Sequence, residues 1–263
     1  MHAVRKGRGA AGLVLLALLA ACTRGGAAPA LRIAAAADLQ QAFEEIGREF
    51  QQAQGEKVTF VFGASGILAS QLAQGAPYDA FFAADASFVD RAIAAGACEA
   101  SSKGFLARGR LSVWSRDTGE PSAAPSSLAD LASPRFRKIA IAHPEHAPNG
   151  RAAKEALVRS GVWEAVQPRV VYGETVIQAL QYAVTGNADV AIVAHSVILN
   201  TSGGRSFVVD ESLHSPIDQT FAICTRGANT AGGRRFAAFA GSERAREILR
   251  RHGFTPPETN TAQ

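Results

Sequence analysis

Leu31-Arg-Ile-Ala-Ala-Ala-Ala-Asp38-Leu-Gln-Gln-Ala-Phe43 is the stretch that decides the fold. Leu31 to Ala36 is a short apolar run, the pattern of a parallel strand buried on both faces. From Leu39 the apolar positions Leu39, Ala42, Phe43, Ile46 and Phe50 fall three or four apart. That spacing predicts a helix whose outer face carries Glu44, Glu45 and Arg48. Asp38 stands at the corner, three residues before Gln41, the spacing of a capping box. A strand that feeds straight into a helix N-terminus offers unpaired backbone N–H groups and the positive end of the helix dipole, which favours an anion.

The same corner recurs along the chain. Val58 to Phe62 runs through Gly63-Ala64-Ser65-Gly66 into a helix that Gly75 stops. Ala80 to Ala83 is a third buried strand, followed by Asp85 and a helix from Ser87 to Ala95. After a strand at Gly109 to Ser115, a loop rich in Pro, Ser and Ala spans Thr118 to Ser127. A second series follows. Lys138 to Ala142 enters the loop His143-Pro-Glu-His-Ala-Pro-Asn-Gly150 and a helix, and Arg169 to Tyr172 enters Gly173-Glu-Thr175 and a helix. Asp189 to Ala194 is a further strand. Asn149 and Thr175 occupy the cap positions, and Thr175 has Gln178 three residues on. Strands at Ser206 to Val209 and Thr220 to Cys224 precede a closing helix within Gly232 to His252, and a polar, frayed tail is expected after Phe254. The pattern is α/β, with two lobes of wound, mostly parallel sheet flanked by helices and a cleft between them. Extended strands near Leu111 and Phe221 are the expected crossings.

The ends of the chain bear on its compartment. Arg5, Lys6 and Arg8 precede an apolar run from Ala11 to Ala21, which reads as an export signal too short to span a bilayer as a mature helix. Leu19-Ala20-Ala21-Cys22 resembles the lipobox of bacterial lipoproteins, with Cys22 as the lipidated residue. Cleavage after Ala28-Pro29-Ala30 is the alternative, giving a soluble periplasmic protein. No acid precedes Cys22, so removing the three signal cations takes the formal +4 to about +1, and nucleic acid is dropped as a partner. Cys98 and Cys224 could pair in an oxidising compartment, but two separate buried cysteines are expected. About 230 residues remain after the signal, enough for two modest lobes with proper cores. The expected division is 31–110 with 216–263 in one lobe and 111–215 in the other.

Asp38, Ser65, Asn149 and Thr175 thus follow four buried strands, at the carboxyl ends where α/β proteins bind ligands. Caps begin helices everywhere, so only their ensemble carries weight: N–H groups and hydroxyls able to hold a tetrahedral dianion without Lys or Arg. From Leu31 to Phe254 the chain resembles the substrate-binding proteins of bacterial molybdate ABC transporters. The landmarks are Ala35-Ala-Ala-Asp-Leu39, Gly63-Ala-Ser-Gly66, Gly75-Ala-Pro-Tyr-Asp79, Phe82-Ala-Ala-Asp85, Gly109-Arg-Leu111, Pro144-Glu-His-Ala-Pro-Asn-Gly150 and Gly253-Phe254, in that order. The resemblance implies a two-lobed periplasmic-binding-protein fold (type II) that closes on molybdate or tungstate and delivers it to a membrane permease, as a monomer, without catalysis and without a cofactor. It places the oxyanion contacts on Asp38, Ser65, Asn149 and Val176. Ser65 would give hydroxyl and N–H, and Asn149 and Val176 would give backbone N–H.

Two positions depart from the family pattern. Ala194 stands where some members have a tyrosine on the anion, and Asp38 where members commonly have serine or asparagine. A carboxylate about 4 Å from a dianion repels it by roughly 8 kcal/mol at an effective dielectric constant near 20. Three resolutions are open: Asp38 turns back to cap its own helix, which Gln41 favours; it is protonated and donates a hydrogen bond; or the ligand is a different one. The same fold with sulfate, phosphate or an organic acid is the nearest rival. A hydrolase reading of Gly63-Ala-Ser-Gly66 fails because Ile67 stands where a nucleophile elbow needs glycine. His143 and His146 read as a solvated loop, with Pro144 between them and no matched third ligand. A ligand-sensing domain of a cytoplasmic regulator is disfavoured by the export signal.

Overall fold

A computed structural model of the chain describes residues 2–3, 29–120 and 124–258. The export segment with Cys22, part of the Pro-rich loop and residues 259–263 lie outside them. In chain order the first elements are β1 (Leu31–Ala36), α1 (Gln40–Gln54), β2 (Val58–Gly63), α2 (Ser65–Ala73), β3 (Ala80–Ala83), α3 (Ala86–Ala94) and β4 (Gly104–Gly109). There follow β5 (Leu111–Arg116), β6 (Ile139–Ala142), α4 (Pro148–Arg159), α5 (Trp163–Val166), β7 (Val170–Gly173), α6 (Val176–Val184), β8 (Val190–Ala194), α7 (His195–Ile198) and β9 (Gly204–Val208). The chain closes with β10 (Ile217–Ile223), α8 (Thr230–Ala240) and α9 (Glu243–Arg251). Among the described residues no helix is long and apolar enough to cross a membrane.

Two five-stranded sheets result, ordered β2-β1-β3-β10-β4 and β7-β6-β8-β5-β9. In each, four strands run one way and one runs against them: β10 in the first sheet, β5 in the second. The chain passes between sheets at Arg110 and again between Val208 and Ile217. The strands near Leu111 and Phe221 therefore do not themselves cross. Each is hydrogen-bonded on both edges within one sheet and is the reversed strand that follows a crossing. The fully buried runs of β3, β6 and β8, and of β1 apart from exposed Arg32, explain their near-continuous apolar sequence.

Burial of the periodic faces holds the helices down. Phe43 of α1 meets Phe82 of β3 edge-on at 4.9 Å between ring centroids and Phe236 of α8 at 5.6 Å, a geometry aromatic pairs favour. The closing helix divides into α8 and α9 at Gly241-Ser242, where Ser242 caps α9 by accepting from the Ala245 N–H. The tail does not fray at once after Phe254, because Thr255 exchanges both backbone hydrogen bonds with Arg108 of β4, each 2.8 Å. Cys98 and Cys224 are joined by a disulfide, not separate as expected. The segment after α3 lies antiparallel to the end of β10, where Glu99 N–H donates to Ile223 O and Thr225 N–H to Ala97 O. That apposition, across 126 residues of sequence, brings the two sulfurs together.

Candidate functional site

Four corners at the ends of β1, β2, β6 and β7 meet where the two sheets face each other. Asp38, Ser65, Asn149, Thr175 and Val176 all line one cavity of about 10 Å³, with Ala37, Ala64 and Pro148 between them. Asp38, Ser65, Asn149 and Val176 are each no more than 3% exposed. None of the residues lining the cavity is Lys, Arg or His. An anion held here would rest on N–H groups, hydroxyls and helix dipoles, which suffice where water is excluded.

Each donor is set by its local sequence. Ser65 is the first residue of α2, and its hydroxyl oxygen accepts from the Ala84 N–H at 3.1 Å, which orients it and leaves the O–H to donate. Asn149 is not the cap of α4 but its second residue, behind Pro148, a residue pre-shaped for the first helical position. Gly150 lets that helix start press against the end of β6, since a Cβ there would stand 2.1 Å from Ala142 O. Thr175 does cap α6, accepting from the Gln178 N–H at 3.2 Å, and Gln178 Oε1 accepts from the Glu174 N–H at 2.6 Å. The N–H of Val176, the first residue of α6, is then one of the orphan amides at a helix start.

Asp38 departs from its expected place. Its side chain makes no capping hydrogen bond to α1. Instead Oδ2 accepts from Asn149 Nδ2 at 2.9 Å and from Gln219 Nε2 at 2.8 Å, while its backbone O accepts from Ser196 Oγ at 2.8 Å. Oδ1 is buried with no partner. Burial pushes the carboxyl above the usual carboxylate range, and the two amides, with the backbone N–H groups of Asp38 and Leu39, pull it only part of the way back. Sequence reasoning missed Gln219 and Ser196. The one sequence signal for Gln219 is a polar residue between Ile217 and Phe221 on an otherwise apolar face of its strand.

Contacts across the cleft gather beside the site. Gly66 N–H donates to His146 O at 2.8 Å, Asn200 Nδ2 donates to Gln41 Oε1 at 2.8 Å, and Arg151 pairs with Asp85, the cap of α3. Ala194 ends β8 and does not line the cavity. The His143 turn has a third potential ligand after all, because Glu145 brings a carboxylate oxygen into a group whose donor atoms lie within 4.8 Å of one another. The two imidazoles stack at 5.0 Å, and Glu145 and His146 are exposed.

A family model described as bacterial extracellular solute-binding protein matches residues 31–255. The molybdate-binding protein ModA of Rhodobacter capsulatus is 36% identical over 244 residues, covering 93% of this chain and 95% of that one. A putative ABC transporter substrate-binding lipoprotein of Bacillus subtilis is 30% identical, covering 86% of each. Among solved structures, the periplasmic molybdate-binding protein of Azotobacter vinelandii superposes with a TM-score of 0.78 at 27% identity, covering 87% of this chain and all of the other.

Proposed function

The chain belongs to the family of bacterial extracellular solute-binding proteins, and from that premise we propose that its cleft captures molybdate and hands it to an ABC-transporter permease. The observation that carries this reading is the meeting of four strand-to-helix corners, two from each sheet, at one cavity that no cation lines. Asp38, Ser65, Asn149 and Val176 are the proposed contacts, Ser65 through its hydroxyl and backbone N–H, Asn149 and Val176 through backbone N–H groups at the starts of α4 and α6, and Asp38 through the corner before α1. Ser65 accepts from the Ala84 N–H, and in this reading, as its relatives are binding proteins, the protein carries its ligand unchanged. Residues 31–110 with 216–263 and residues 111–215 form the two lobes that open and close on it. Phosphate in the same site is the second reading, favoured by the carboxylate of Asp38, because phosphate brings its own proton to share with it.

Melting temperatures measured with molybdate, tungstate, sulfate and phosphate test this. Molybdate or tungstate at a hundredfold excess over Kd should raise the melting temperature by roughly 5 to 10 °C, because a ligand bound only by the folded state adds about 2.7 kcal/mol. Ser65→Ala should weaken that binding about tenfold by removing a hydroxyl donor. No rise with either anion would end the molybdate reading.

The protein works in the periplasm. We extend the proposal to a lipid anchor at Cys22, with cleavage after Ala30 as the alternative. Expressed from its full reading frame, the protein should partition into a detergent phase and Cys22→Ser should not; equal partitioning would leave the soluble form.

A further inference from the structure

Asp38 places a carboxyl group in a cavity meant for a doubly charged anion. We propose that the complex holds one proton between Asp38 Oδ1 and an oxygen of the bound anion, so that Asp38 is a hydrogen-bond donor and molybdate enters together with a proton. The proposal rests on the reading of the cleft as a molybdate site.

The geometry assigns the two oxygens different tasks. Oδ2 is held by the neutral amides of Asn149 and Gln219, one from each side of the cleft. That grip keeps the carboxyl from turning back to cap α1, where it makes no hydrogen bond. Oδ1 is buried without a partner in a residue that lines the cavity. An ionised carboxylate has only acceptors to show there, and a fully deprotonated oxyanion has only acceptors too. One proton between them turns a repulsion into a charge-assisted hydrogen bond. In balance, ionised Asp38, one solvent proton and the dianion give a complex of charge minus two in place of minus three.

Most charged groups on neighbouring elements have other partners. On α4, Arg151 pairs with Asp85; on β10, Asp218 pairs with Arg108; on α1, Glu45 pairs with Arg251 and His252, and Glu44 accepts from Gln40. On α7, His195 shares a hydrogen bond with Ser112 Oγ, and its burial together with Arg110 holds its imidazole below the usual range. Helix α6 carries no charged residue. Burial of Asp38 favours its neutral form, so the closed cleft is favoured as pH falls and weakened as pH rises through the raised value.

Calorimetric titration of the wild-type protein and Asp38→Asn with sodium molybdate, in two buffers of unlike ionisation heat between about pH 6.5 and 9, tests the proposal. Wild-type affinity should fall as pH rises, by up to about tenfold per unit, with uptake approaching one proton per molybdate. Asp38→Asn should bind at least as tightly with a flat profile, since its amide N–H donates without titrating. A flat wild-type profile with no proton uptake overturns the proposal, as does an Asp38→Asn affinity at least tenfold weaker at every pH. If that variant does not fold, the wild-type buffer comparison decides alone. Binding of inorganic phosphate, which brings its own proton, with none of molybdate at any pH overturns the reading of the ligand itself.

Discussion

Val176→Pro should weaken molybdate binding roughly ten- to a hundredfold while the fold survives, the loss of one hydrogen bond to a charged group being worth about 1.5–3 kcal/mol. The substitution isolates a single backbone N–H. Val176 is the first residue of α6, the position where a proline costs a helix least because the missing amide had no intrahelical partner. Thr175 before it is already extended, at φ −126° and ψ 166°, as a residue preceding proline must be. The cap from Thr175 Oγ1 to the Gln178 N–H and the bond from the Ala179 N–H to Thr175 O do not involve the lost amide. Val176→Ala, which keeps the amide and trims the side chain, is the control and should bind nearly as well. Calorimetry with a melting curve for each variant reads both quantities. Unchanged affinity in Val176→Pro would remove the α6 amide from the site.

Gly66→Val should cut affinity by a similar or larger factor through a different route, by holding the lobes apart. A Cβ on Gly66 would stand 2.9 Å from His146 O and 3.0 Å from His146 Cα on the opposite lobe. Phe88 Cε1 also lies 3.0 Å away, but an aromatic edge can swing aside where a backbone anchored next to α4 cannot. Overpacking of this kind costs about 1–3 kcal/mol, charged almost wholly to the closed state because the contact exists only across the cleft. Apparent affinity then falls with the fraction of molecules able to close, tenfold for each 1.4 kcal/mol or so. Small-angle scattering should show the wild-type protein more compact with molybdate and Gly66→Val little changed. Full affinity with the same compaction in the variant would show that closure does not pass through this contact.

The corners around which both experiments turn were legible in the chain because a strand-to-helix corner is written locally. A buried run such as residues 33–36 has to be apolar, the following helix has to carry apolar residues three or four apart, and Gly55 ends it with a φ of +69°. Ser65, Asn149 and Val176 follow from that pattern together with the resemblance, and all three line the cavity. Thr175 kept the capping role that its spacing to Gln178 implied. Asp38 has the same spacing to Gln41 and does something else, because Asn149 and Gln219, 111 and 181 residues away, offer its carboxylate two donors that its own helix does not match. The disulfide and the Gly66–His146 bond were hidden for the same reason, each joining segments that only the sheet order brings together.

By itself the sequence determined the alternation of strands and helices, the places where helix starts point out of the sheets, and hence a site suited to an anion. These follow from side-chain periodicity and backbone sterics, which act over a few residues. Only the tertiary structure decided which oxygen of Asp38 is satisfied and which is left without a partner, because hydrogen-bond partners inside a protein are chosen by what two packed sheets bring within 3 Å or so of each other. On the proposal above, that choice makes Asp38 the residue that sets whether the anion enters alone or with a proton.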